Sequence, residues 1–208
     1  MLNSINNNKK TPEIRFNDFL NDWILCKLEN LSIVKDGTHD SPKYIEKEYP
    51  LITSKNLTDN GTINFENINY ISKEDYDSIN KRSNVEKGDI LFGMIGTIGN
   101  PVIVNKDDFA IKNVALIKEK SKLRNEFLIY YLQSNDILKQ FYKYNAGGTQ
   151  KFIALNLIKN LSINCPTLKE QEKIQSFLSR INNKIKLIEK EIEINKQFKK
   201  TLLNKMFC

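Results

Sequence analysis

The sequence predicts an α+β protein: a mixed, twisted β-sheet domain with short helices, followed by one long C-terminal coiled-coil helix. Two observations predict it. Short apolar runs such as YPLIT, ILFG and VALI are punctuated by turn formers up to Pro166, without the even strand–helix spacing of a doubly wound sheet. Beyond Pro166, apolar residues recur at Ile174, Leu178, Ile181, Ile185, Ile188 and Ile192, a heptad seam. At 208 residues, 40% hydrophobic and 27% charged, the chain can bury a core without disulfides or metals. The expected division is residues 1–166 and 167–208.

Each element has its own signal. In TPEIRFNDFLNDWILCKL, Phe16, Phe19 and Trp23 are expected to anchor the opening segment to the body. IVKDGTHDSPKY reads as a loop and YPLITSKNL as a strand. Asn60-Gly61 signals a two-residue hairpin turn with both positions at positive φ, continued by TINFENINYIS as one or two strands. Ser72 with Asp75 three residues on marks a short helix. Gly88-Asp89 turns the chain into two buried strands, ILFGMIGTIG and PVIVN, and FAIKNVALIKEK reads as a further strand pair. EFLIYYLQSNDILKQFYKY supplies two short helices, ALNLIKNL a helical turn and LSINCP a last strand.

Pro166 ends that strand, and Thr167 with Glu170 forms a T-x-x-E capping box for the long helix. The seam is interrupted at Asn195 and Lys199 and resumes at Leu202 and Met206. From Gln171 to Lys205 such a helix is roughly 50 Å long, and one helix cannot hide its own stripe. The stripe packs either on its own domain or on another helix. The length of the seam favours a second helix, with polar Asn195 setting register.

Composition excludes several classes. No stretch approaches ~20 apolar residues, so a membrane span is not expected. The opening MLNSINNNKKTPEIRF lacks the apolar core of a secretory signal. Cys26, Cys165 and Cys208 are scattered, which fits a reducing cytoplasm and no cysteine metal site. The net charge is +7, but Lys, Asn and Ile account for 82 residues, the bias of an AT-rich coding sequence. The surplus is +2 over residues 1–166 and +5 over 167–208. It permits nucleic-acid binding without requiring it.

No catalytic set emerges. His39 is the single histidine, in a loop with Asp36 and Asp40, and no phosphate-cradling loop or metal cluster is visible. Gly93, Gly96 and Gly99 are not spaced as a dinucleotide fingerprint; they suit a tight strand-to-strand turn or a close ligand contact. What remains is polar loops. Gly37, Thr38, His39, Lys43 and Tyr44 form one, Lys55 and Asn56 a second, and Gly147, Gly148, Thr149, Gln150 and Lys151 a third. Hydroxyl, amide and lysine groups with glycines are what phosphate and base contacts use, and also what any solvated loop contains.

Five pieces in order resemble specificity subunits of type I restriction–modification systems, over nearly the whole chain from residue 12. They are PEIRFNDFLNDWILCKL; Asp36-Gly37-Thr38-His39 with Pro42; and Lys87-Gly88-Asp89-Ile90-Leu91-Phe92-Gly93 with Gly96 and Ile98-Gly99. The last two are Gly147-Gly148-Thr149-Gln150 through Pro166 to Glu170-Gln171 and Ile174, and KQFKKTLLNKMF. The resemblance implies a non-catalytic target-recognition domain on double-stranded DNA, then a spacer helix. It also implies methyltransferase subunits as partners, which bind S-adenosylmethionine themselves, and a restriction subunit that can join them. The three loops become the DNA-facing residues, Lys55 a phosphate contact, and residues 57–84 a further place for base reading. Such subunits carry two recognition domains and two spacer helices, whereas this sequence carries one set. It is either a natural half-length subunit or a piece cut at a domain boundary. As a half, it is expected to form a homodimer through antiparallel helices and to read an interrupted palindrome. The other reading of the residues is a coiled-coil scaffold that binds protein instead of DNA.

Overall fold

The computed structural model describes residues 11–144 and 152–207. The chain divides into two compact units, the first ending at Gln171 and the second beginning at Glu172.

The first unit is α+β. Its strands are β1 (Ile24–Lys27), β2 (Ser32–Asp36), β3 (Tyr49–Thr53), β4 (Asn69–Ile71), β5 (Ile90–Gly93), β6 (Gly99–Ile103), β7 (Ala110–Lys112), β8 (Val114–Glu119) and β9 (Ser162–Cys165). Its helices are α1 (Leu28–Leu31), α2 (Lys73–Ser83), α3 (Asn125–Tyr131), α4 (Asn135–Tyr144) and α5 (Leu155–Lys159). Among the described residues the strands form three sheets, ordered β2-β8-β5-β6, β4-β3-β7 and β1-β9. The first is antiparallel throughout; β3 pairs antiparallel with β4 and parallel with β7. Central β8 opens on Val114, Ala115, Leu116 and Ile117, all fully buried, because both its neighbours are strands and both its faces are covered. Ile52, Leu91, Phe109, Ile111 and Leu116 share one apolar cluster that joins the two larger sheets. On the three-stranded sheet, Tyr49 stacks on Tyr76 of α2 with ring centroids 4.2 Å apart.

Several sequence expectations hold locally. The Ser72 hydroxyl accepts from the Asp75 N–H and starts α2. Gly88 has φ +89°, and the Asp89 carboxylate accepts from the Glu86 N–H at 2.8 Å and from Lys118 Nζ at 2.7 Å, which closes the turn into β5. Trp23 packs edge-on against Phe127, anchoring the opening segment as expected.

Others are corrected. IVKDGTHDSPKY is not loop throughout: residues up to Asp36 pair with β8, and the loop begins at Gly37. At Asn60-Gly61 only Gly61 takes positive φ, +74°. The Thr58 hydroxyl bonds to the Asn60 side chain and to Thr62 and closes a wider turn, and the following residues pair only as β4 and an isolated Leu57–Ile63 bridge. The strands of FAIKNVALIKEK do not pair with each other. Asn113, at φ +55°, turns a corner between them and sends β7 and β8 into different sheets.

Helix α6 (Leu168–Met206) spans 39 residues, about 58 Å at ~1.5 Å per residue. Thr167 caps it through one long contact, 3.4 Å from the Glu170 N–H. Glu170 does not return the bond as a capping box would. Its carboxylate, almost fully buried, takes a two-pronged contact from Arg15 at 2.7 and 2.8 Å. Fully buried Gln171 accepts from the Arg124 N–H and donates to the Lys122 and Pro166 carbonyls. The second unit is the remainder of this helix. Its seam residues Ile181, Ile185, Ile188 and Ile192 are exposed, as is Asn195, while Ile174 and Leu178 are half-buried. No described helix is long and apolar enough to cross a membrane.

Candidate nucleic-acid interface

The first two predicted loops meet at the corner made by Asn113. Gly37 leaves β2 with its N–H on the Val114 carbonyl at 2.9 Å. A Cβ at this position would lie 2.2 Å from the Ile111 oxygen, so only glycine lets the loop approach β7 this closely. Thr38 then donates to the Ile111 carbonyl and accepts from the Asn113 N–H, both at 3.0 Å. At the far end of the loop, the Ile45 N–H donates to the Tyr70 carbonyl at 3.0 Å. Pinned at both ends, the loop presents exposed Lys43 and Tyr44.

The second loop is a 3₁₀ turn, Ser54–Asn56. The Ser54 hydroxyl donates to the Asn113 carbonyl at 2.9 Å and accepts from the Met94 and Ile95 N–H groups at 3.1 and 3.3 Å. It therefore ties three segments together: the turn, the corner and the glycine loop after β5. Lys55 is exposed on this turn and, like Lys43, makes no hydrogen bond or ion pair among the described residues. Asn56 differs. It is buried, its amide oxygen accepts from Thr53 at 2.9 Å, and its amide nitrogen donates to the Asn64 carbonyl. Asn56 shapes the turn and does not face outward.

The glycines at 93, 96 and 99 serve the turn. Gly96 and Gly99 have φ +73° and +89°, and a Cβ on Gly93 would lie 2.3 Å from the Thr97 oxygen. Gly147, Gly148, Thr149, Gln150 and Lys151 lie outside the described residues. The strand-like contact just after them is described: the Ile153 N–H donates to the Met94 carbonyl at 2.8 Å.

His39 is held on both sides, with Nδ1 2.7 Å from Asn113 Oδ1 and Nε2 2.8 Å from Asp36 Oδ2. These contacts, Asn113 first and then Asp36, raise its pKa above the ordinary 6.5, against opposition from burial and Arg82. Arg82, at the end of α2, donates to the Gly37 carbonyl at 2.7 Å and lies 3.4 Å from Asp36. Between loop and helix lies a cavity of about 460 Å³, lined by Thr38, His39, Ser41, Asp75, Ser78 and Arg82 among others. Among the described residues no group of three His, Cys, Asp or Glu side chains could hold a metal ion.

Sequence reasoning missed Asn113, Ser54, Arg82 and Lys112, whose ammonium donates to the Ser41 hydroxyl at 2.7 Å. Asn113 alone carried a signal, as a turn-forming residue interrupting the apolar run from Phe109 to Ile117.

The first unit is an α+β body whose two described polar loops meet at one corner. The family model described as the type I restriction modification DNA specificity domain matches residues 39–196, and the chain belongs to that family. It is 28% identical over 196 residues to a Methanocaldococcus jannaschii protein with the provisional name type I restriction enzyme MjaX specificity subunit. That match covers 89% of this chain and 45% of the relative. Over 164 residues it is 26% identical to the type I restriction enzyme MjaVIII specificity subunit of the same organism, covering 78% of this chain and 36% of that one. Among solved structures, the type I restriction–modification S subunit from M. genitalium has a similar fold, with TM-score 0.59 and 16% identity over 89% of this chain and 46% of that one. The chain spans about half the length of these relatives, or less.

Proposed function

We propose that this chain is a sequence-specific DNA-recognition module of a type I restriction–modification specificity subunit, reading one half-site of a bipartite target. The observation that carries the reading is the joining of the 37–44 loop and the 54–56 turn on Asn113, with free lysines on both, in a member of a DNA specificity family. Lys43 and Lys55 are phosphate contacts in this reading. Thr38, Tyr44 and the stretch 147–151 are the candidates for base contact. The module does no chemistry: it positions methyltransferase subunits that bind S-adenosylmethionine, and a restriction subunit where one joins. The exposed seam of α6 pairs with a second helix, in the simplest case antiparallel in a homodimer. A two-fold dimer reads the same half-site twice, so its target is an interrupted palindrome.

The test is a salt titration of DNA affinity on a duplex selected from a random pool. Wild-type affinity falls linearly on a log–log plot, and Lys43→Ala with Lys55→Ala reduces that slope by about two on every sequence tried. Absence of any salt-dependent DNA affinity rejects the reading in favour of a protein-binding scaffold. An asymmetric selected target rejects the homodimer.

A further inference from the structure

The His39 clip has a chemical requirement that its geometry makes plain. Both ring nitrogens face oxygen acceptors, Asn113 Oδ1 at 2.7 Å and Asp36 Oδ2 at 2.8 Å. A neutral imidazole has one N–H, so it can donate to only one of them; the imidazolium donates to both. The two acceptors belong to different places in the fold, the end of β2 and the β7–β8 corner. We propose that His39 is a proton-dependent positioning residue for the 37–44 loop. Its doubly protonated ring ties the loop to β2 and to the corner at once, and loss of one proton frees the corner.

The surrounding charges act in both directions. Asp36 favours the cation directly, and Asp40 and Asp75 are carboxylates of the same loop and of α2. Arg82 opposes it, but is itself engaged by Asp36 and the Gly37 carbonyl. Lys112 on β7 is turned to Ser41. The sign follows from the raised pKa: the clip is complete below the ordinary value of 6.5 and is lost as pH rises through the higher value in the folded chain. The consequence for DNA rests on the recognition reading above.

The chain has one histidine, so its imidazole signals in a two-dimensional NMR titration need no assignment. Three results are expected in the free wild-type protein and its DNA complex. The pKa lies above 6.5. Amide exchange at Thr38 and Asn113, corrected for its intrinsic pH dependence, accelerates over the same interval. DNA affinity falls about three- to tenfold between about pH 6 and pH 9 as the proton is lost. His39→Gln removes the pH dependence and leaves the salt slope unchanged. Asn113→Asp removes the one escape, rotation of the amide to offer its own N–H, and moves the midpoint upward. This second variant and the wild-type titration keep the test decisive if His39→Gln does not fold.

A pKa at or below 6.5, flat exchange, or unaltered pH dependence in His39→Gln overturns the proposal. A salt slope reduced by about one in His39→Gln also overturns it, by making His39 a phosphate contact. Exchange that responds to pH in a protein with no DNA affinity at any pH upholds the clip and removes the recognition reading instead.

Discussion

The two units treat the same residue in opposite ways. Isoleucine is one of the commonest residues of the chain, and in the first unit Ile52, Ile71, Ile90, Ile111 and Ile117 are each 0% exposed. In the second, Ile181, Ile185, Ile188 and Ile192 are 42–48% exposed on a single helix. The first unit finishes its core from within, strand against strand and α2 against sheet. The second has its apolar residues in order but nothing of its own to cover them. In the proposed pairing with a second helix, that row is half of an interface. In that pairing, the α+β unit is stabilised within one chain and the helix by a second one.

The contrast is open to direct attack. The largest effect is expected from Phe92→Ala, which empties a fully buried site in β5 that also packs against Phe141. Urea unfolding should show a loss of about 3–5 kcal/mol. Ile185→Ala in the dilute single chain should change it by no more than about 0.5 kcal/mol. A cost for Ile185→Ala that grows with protein concentration would show the seam covered in solution.

A middle effect belongs to the first turn of the helix, whose Gln171 is held within the first unit. Gln171→Ala strips fully buried partners from the Arg124 N–H and the Lys122 and Pro166 carbonyls, and about 2–3 kcal/mol should be lost. A near-neutral result would mean that the start of α6 is no better held than its later turns.

The smallest effect on stability is expected from Ile181→Asp with Ile188→Asp. The thermal midpoint of the α+β unit should not move, but the mass by light scattering should fall from twice 24.2 kDa to that of one chain. A wild-type monomer would break the homodimer proposal and leave the seam to another chain.

Much of this was legible in advance because the signals are local. Ser72 capping α2, the Gly88-Asp89 turn, the buried ILFG strand and the heptad seam each depend on residues within a turn or two of one another. The misses share the opposite character. Lys35 and Asp36 lie among turn formers, and only β8 makes them strand. Asn56 reads as a loop amide until Thr53 and the Asn64 carbonyl occupy it. Glu170 reads as a capping residue until Arg15, 155 positions away, claims its carboxylate. The charge pattern showed the polar loops but not their meeting point, since Asn113 acts through its backbone as much as through its side chain.

By itself, then, the sequence determined the class of fold and the long helix with its apolar seam, because hydrophobic periodicity is a one-dimensional property that survives without coordinates. Only the tertiary structure decided that the described strands divide into three sheets, that β7 and β8 part at Asn113, and that His39 lies between an acid three residues away and an amide 74 residues away. Those outcomes are set by long-range backbone pairing and close approach, for which many partners of equal local propensity compete, and packing selects among them.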